Sequence, residues 1–180
     1  SGLEGNPGFR LTPPLVLRGI YGLVFGDVFM KCVYRMRPYE AVPGTTDALH
    51  RKWVEKCKTF VSKGYPSRRA FKKMCADIIR EFDEIETLDV RKPRVGVVGE
   101  ILVKFLPAAN NHLVELLEKE GAEAVVPDLL DFLQYCFYNQ HFKVSDLGFA
   151  KSKAKIADLG IRLLEWFRAP ANKAYRASKH

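Results

Sequence analysis

Cysteine is scarce and scattered: Cys32, Cys57, Cys75 and Cys136 lie 25, 18 and 61 residues apart. No C-x-x-C occurs, so the spacing that wraps a chain around zinc or an iron–sulfur cluster is missing, and the four thiols read as small buried hydrophobes. Histidine is equally thin, and none of His50, His112 or His141 stands in a metal-ligand motif. Each reads as a surface or packing residue. There is no G-x-x-x-x-G-K-S/T phosphate loop, no H-E-x-x-H and no serine in a nucleophile elbow. Motifs therefore assign neither a catalytic residue nor a metal ligand.

A long uncharged apolar run is lacking too. Residues 15–33 come nearest, but they contain Arg18, Asp27 and Lys31, and a charge at bilayer depth costs about 3 kcal/mol. No membrane span is expected. The opening Ser1-Gly2-Leu3-Glu4-Gly5 lacks the basic-then-apolar order of a secretion signal, and a start on serine points to a processed chain. The expected location is the cytoplasm, where disulfides are not expected.

What is present is enough for a core. The 180 residues are 47% hydrophobic, and a chain of this length buries roughly 70% of its unfolded surface, which suits one globular domain. The net charge of +8 is uneven: residues 1–45 carry +2, 46–92 carry +4, 93–142 carry −4 and 143–180 carry +6. Basic flanks could meet nucleic acid or an acidic partner subunit. The lysines and arginines mostly fall on polar faces of helical patterns, where solvation accounts for them.

Periodicity divides the chain into a helical segment, 1–92, and an α/β segment, 93–180, packed together as one domain. Pro13-Pro14 opens a helix over 15–36 whose Gly19, Gly22 and Gly26 would form a smooth face against another element. A turn over 37–44 follows. Thr45 or Thr46 then caps a helix over 46–63 with Leu49, Trp53, Cys57, Phe60 and Val61 on one face, stopped at Gly64. Ser67 caps the clearest amphipathic helix, 67–86, whose stripe is Phe71, Met74, Cys75, Ile78, Phe82 and Ile85.

After Pro93 the period changes. Arg94 to Gly99 is a short β-branched run and reads as a buried parallel strand. Asn110 or Asn111 caps a helix over 111–120, and residues 123–127 form a second strand. Strand, crossover helix and strand make one βαβ unit. A helix over 128–139 follows, and a last one over 150–167 carries Ile156, Leu159, Leu163, Leu164 and Phe167 on its apolar side. The class is α/β: a helix-rich domain with a small parallel sheet. Two strands alone make a poor parallel sheet, so the expectation is a piece of a larger Rossmann-like domain.

Ligands of open α/β sheets collect at the carboxyl ends of the strands, which singles out Gly99, Glu100, Asn110 and Asn111 as candidate ligand or partner contacts. Gly96-x-x-Gly99 is not the dense glycine pattern that cradles a dinucleotide. Glu100 could instead tie down the loop after it by accepting backbone N–H groups, and the asparagines could simply cap the next helix.

One pattern extends beyond local chemistry. Arg94-Val95-Gly96-Val97-Val98-Gly99-Glu100-Ile101, then Pro107-Ala108-Ala109-Asn110-Asn111, then Leu116-Leu117-Glu118-Lys119-Glu120-Gly121-Ala122-Glu123 and Pro127 resemble the 2-hydroxyacyl-CoA dehydratase superfamily. Upstream, Tyr21-Gly22, Gly26-Asp27, Arg37-Pro38-Tyr39-Glu40 and Pro43-Gly44-Thr45-Thr46-Asp47 resemble the C-terminal region of CoA-substrate-specific activases, relatives of the activator of 2-hydroxyglutaryl-CoA dehydratase. The likeness runs over residues 15–140 and weakens after about residue 145.

The resemblance implies ATP-driven electron transfer, in which an activase holding a 4Fe-4S cluster passes an electron to a dehydratase. It assigns no cofactor to this chain, because the ATPase signature is absent and none of the four cysteines falls on a cluster-ligand motif. The expected function is a non-catalytic module of such a protein, inactive alone, that docks or scaffolds; its partners are the rest of the parent protein and the dehydratase component. Two alternatives stand beside it. One is a small acyl-CoA-binding or lyase-type domain with its site at the carboxyl end of the sheet. The other is a basic nucleic-acid-binding domain.

Overall fold

The computed structural model describes residues 12–63, 65–147 and 151–179. Seven helices and two strands are seen there: α1 (Pro13–Met36), α2 (Thr45–Ser62), α3 (Arg68–Asp83), β1 (Arg94–Gly96), α4 (Ile101–Phe105), α5 (Leu113–Lys119), β2 (Glu123–Val125), α6 (Leu129–Leu147) and α7 (Lys151–Arg176). Single 3-10 turns lie at Arg37–Tyr39 and Pro107–Ala109. The fold is helix-rich, with 73% of residues helical. β1 and β2 pair in parallel, Arg94 opposite Glu123, Val95 opposite Ala124 and Gly96 opposite Val125. None of the described helices is long and apolar enough to cross a membrane.

α1 is the central element. Its Tyr21, Val24, Phe25, Val28, Cys32 and Met36 are buried and meet Trp53 and Cys57 of α2, the Phe71–Cys75–Ile78–Phe82 stripe of α3, Leu130 of α6, and Leu164, Phe167 and Ala171 of α7. Tyr21 stacks on Phe71 at 4.1 Å, and Phe25 tilts against the same ring at 5.1 Å. The other flank of α1 brings Met30 and Tyr34 to a smaller core of Val97, Ala124 and Val126, closed by Phe105 of α4 and Leu113, Val114 and Leu117 of α5.

Several expectations are corrected. Gly19, Gly22 and Gly26 do not form a packing face: a Cβ added at any of them meets nothing within 4 Å. The aromatic side of α1 takes the core, so the glycine side looks outward. Neither Thr45 nor Thr46 caps α2; the Glu40 carboxylate reaches forward to accept the Gly44 and Thr46 N–H groups at 2.6 and 2.7 Å. β1 is exposed rather than buried, and its regular pairing ends at Gly96. Val95 is 37% exposed and Val98 82%, and only Val97 points into the small core. A sheet of two strands has no third strand to cover that flank.

α7 continues past 167 to Arg176, through Pro170. The buried stripe is Ala157, Leu164, Phe167 and Ala171; Ile156, Leu159 and Leu163, expected on the apolar side, are 67%, 68% and 47% exposed. The contact with α6 is close at Gly160, where an added Cβ would lie 2.7 Å from the Phe137 ring. Cys32, Cys57 and Cys75 are buried, and burial pushes each thiol up to about 12. Cys136 departs from the expectation and is exposed on α6. The expected stop of α2 at Gly64 falls on a residue outside those described, as does the start of the last helix at Ala150.

A polar network fastens α6 and α7 to α1. The Asp27 carboxylate accepts the N–H groups of Leu129 and Leu130 at 2.9 and 3.0 Å, and so caps α6 from another helix. Neighbouring Asp128 is buried against Lys31 of α1 at 2.5 Å and Arg168 of α7 at 3.3 Å.

Two outcomes are expected. Gly22→Ala should raise stability by about 0.5 to 1 kcal/mol in denaturant melts, because alanine gains helix propensity and meets no neighbour; a loss would place an unseen contact on that face. The second concerns pH. Burial outweighs the two N–H bonds and pushes the Asp27 carboxyl from 3.8 up to about 6. The folded state then holds this proton more tightly than the unfolded chain, so the group favours folding at low pH and that contribution is lost as pH rises through about 6. Between about pH 4.5 and 7 the wild type should lose on the order of 2 kcal/mol, and Asp27→Asn should flatten the slope. An equally steep variant would assign the slope elsewhere.

Candidate functional site

The carboxyl ends of the two strands open onto the corner built by α4, the Pro107–Ala109 turn and the start of α5. Gly99 turns the chain there at φ +144°, a conformation open to glycine and strained for other residues. Glu100 follows as the cap of α4. Its Oε2 accepts the Leu102 and Val103 N–H groups at 2.8 and 3.1 Å, satisfying two of the first donors of the helix.

Asn110 is the clasp of the corner. Its Nδ2 donates to the Val103 and Lys104 carbonyls at 3.0 and 3.3 Å, while its Oδ1 accepts the Leu113 N–H at 3.1 Å. One amide thus ties the end of α4 to the start of α5. Asn111 and His112 both adopt the left-handed region, at φ 55° and 53°. Two such non-glycine residues in succession store strain, the kind of backbone that clusters at ligand sites.

Behind the clasp lies a cavity of about 360 Å³ between α1, α2, α4 and α5. Gly26, Phe29, Met30 and Val33 of α1 make its apolar wall, and His50, Lys104, Asn110, His112 and Glu115 supply its polar groups. Its size and mixed lining suit a small organic molecule. His50 stands edge-on to Phe29 at 5.1 Å, and burial lowers its pKa, so the imidazole is neutral near pH 7 and can both donate and accept. His112 Nδ1 lies 3.1 Å from Glu115 Oε1.

Arg37 lines the same cavity, but its guanidinium is committed. Its Nε and Nη2 donate to the two oxygens of Glu118 at 2.7 and 3.1 Å, and Nη1 reaches Asp47 at 3.2 Å. Burial raises the Glu118 carboxyl despite this pairing. No serine or cysteine lines the cavity, so the arrangement can bind, orient and exchange a proton through His50 but offers no thiol or hydroxyl nucleophile of those types.

Of the four residues singled out from sequence, Asn110 alone lines the cavity; Gly99, Glu100 and Asn111 shape the corner beside it. His50 and His112, expected as unrelated surface or packing residues, are brought to one cavity by the packing of α2 and α5 on α1. Sixty-two positions separate them, and no spacing rule reports such a meeting. The only local signal was the Asn-Asn-His run, whose polar residues tolerate the left-handed backbone. No family model, curated protein or solved structure matches the chain.

Glu100→Gln keeps the shape of the cap and weakens its charge-assisted bonds. A local loss of about 1 kcal/mol is expected, read as roughly fivefold faster hydrogen exchange at Leu102 and Val103 with little change in global melting. Unchanged exchange would mean that the carboxylate does not hold α4.

Proposed function

We propose that the chain is a docking module of an iron–sulfur redox protein of the 2-hydroxyacyl-CoA dehydratase activase type, non-catalytic alone, whose partner is the dehydratase component. The family part of this reading is supported by the likeness of residues 94–127 and of the upstream Arg37 to Asp47 stretch. The docking part is carried by the second apolar stripe of α7. Ile156, Leu159 and Leu163 follow at helical spacing, all large and all exposed, and contiguous exposed apolar surface marks interaction sites in soluble proteins. Exposed Lys155 and Arg162 flank the stripe and supply the charged rim that an acidic partner would meet.

The uncovered flank of β1 supports membership of a larger Rossmann-like sheet, since parallel strands are normally covered on both faces. The basic charge of the chain has a weaker claim on nucleic acid. The stripe ends at Trp166, whose ring already lies under the Arg68 guanidinium at 3.2 Å, so the indole is not free for a base to stack on that face. The cavity beside Asn110 favours one further reading, a small acyl-CoA or carboxylic acid site with His50 as its proton-exchanging group.

The test is titration of the purified chain against a purified 2-hydroxyacyl-CoA dehydratase component. Binding is expected, and Ile156→Glu with Leu159→Glu should weaken it by about tenfold or more without lowering the melting temperature, because both side chains already face solvent. Absence of binding, or binding indifferent to the double variant, would overturn the docking reading.

A further inference from the structure

From the amino end of the sheet and along β2 two cavities adjoin, one of about 340 Å³ and one of about 410 Å³, meeting at Arg35, Met36, Arg94 and Glu123. Their linings differ. The smaller carries Arg35, Arg91, Lys92 and Arg94 against the single carboxylate of Glu123, a net charge of +3 by formal count. The larger is walled by Met36, Ile79 and Phe82; of its further charges Lys31 pairs with Asp128, and the Asp83 carboxylate is turned to Ser178 Oγ and the Lys179 N–H.

Glu123 arranges the cations. It is buried behind them and accepts Arg35 Nη1 at 2.6 Å, Tyr39 OH at 2.8 Å and Arg94 Nε at 3.1 Å. Each guanidinium carries five N–H donors and spends one on this carboxylate. Among the described residues no protein acceptor bonds the remaining donors of either arginine, and neither Arg91 nor Lys92 has a carboxylate partner. The result is a pair of guanidinium groups bonded to one buried carboxylate, with excess positive charge around an open cavity. A guanidinium bonded through one N–H keeps further donors that match the oxygens of a phosphate, and the bond to Glu123 limits the freedom it loses on binding.

We propose that the paired cavities bind a soluble phosphate ester, with its phosphate against Arg35 and Arg94, Arg91 and Lys92 completing the charge, and its apolar group beside Met36, Ile79 and Phe82. The proposal is independent of the docking reading, because it rests on the other end of the sheet. A monocarboxylate would leave more than one positive charge uncompensated, whereas a phosphate dianion comes closer to the +3 of the lining.

Calorimetric titration at low ionic strength tests it, with phenyl phosphate and inorganic phosphate as probes. One saturable site is expected, with phenyl phosphate about fivefold or more tighter than inorganic phosphate. Arg91→Glu with Lys92→Glu should weaken phenyl phosphate by about tenfold or more at unchanged melting temperature, since neither side chain holds the fold. Arg69→Glu with Lys72→Glu, the same charge change on the exposed face of α3, should leave the affinity within about twofold. No saturable binding, equal loss in both double variants, or binding only to vesicles carrying phosphatidic acid would each overturn the proposal.

Discussion

Glu123 carries a charge where water cannot reach it: its side chain is 3% exposed at the first position of β2. A carboxylate so placed costs several kcal/mol unless its oxygens are bonded. Its donors come from α1, from the turn after α1 and from β1. Satisfying one anion therefore sets the height of the sheet against the central helix and orders the strand beside it. A sheet of two three-residue strands could not hold that position by its own hydrogen bonds, so the carboxylate and the small core of Val97, Ala124 and Val126 act together.

The same logic recurs on the other side of α1. Asp27 supplies the cap of α6 because Asp128, the residue that precedes the helix, turns its carboxylate to Lys31 and Arg168 and so joins three helices. These groups specify which helices meet; the aromatic packing of Tyr21, Phe25 and Phe71 supplies the larger share of the burial. Breaking a partner in either network would leave a buried charge uncompensated, which costs more than the intact contact contributes.

Anchoring at both ends leaves a cavity at the carboxyl-end corner of the sheet and an adjoining pair around Glu123. The carboxyl-end corner is shaped by backbone, through the Gly99 turn, the Glu100 cap, the Asn110 clasp and the left-handed pair after it. The amino-end pair is shaped by charge, through the arginines gathered on Glu123. Neither competes with the exposed stripe of α7 for surface, so docking at the stripe and ligand binding at the sheet are compatible in one chain.

The amphipathic helices and the parallel pair of strands were legible in the residues, because each is governed by short-range rules. The Phe71 to Phe82 stripe of α3 repeats at helical spacing, Ser67 caps it, and β-branched runs flanking a helix pair in parallel. What the residues could not decide was orientation. α7 has two apolar stripes one position apart, and only docking against α6, α3 and α1 selected Ala157, Leu164 and Phe167 for burial over Ile156, Leu159 and Leu163. The glycine side of α1 faces outward for the same reason: the aromatic side buries more area. His50 and His112, and Glu123 with Arg35 and Arg94, come together from distant segments, and such meetings depend on how finished helices pack. Periodicity is a property of a segment, whereas burial and convergence belong to the whole fold, which is why the elements could be read from the chain and the cavities only from its tertiary structure.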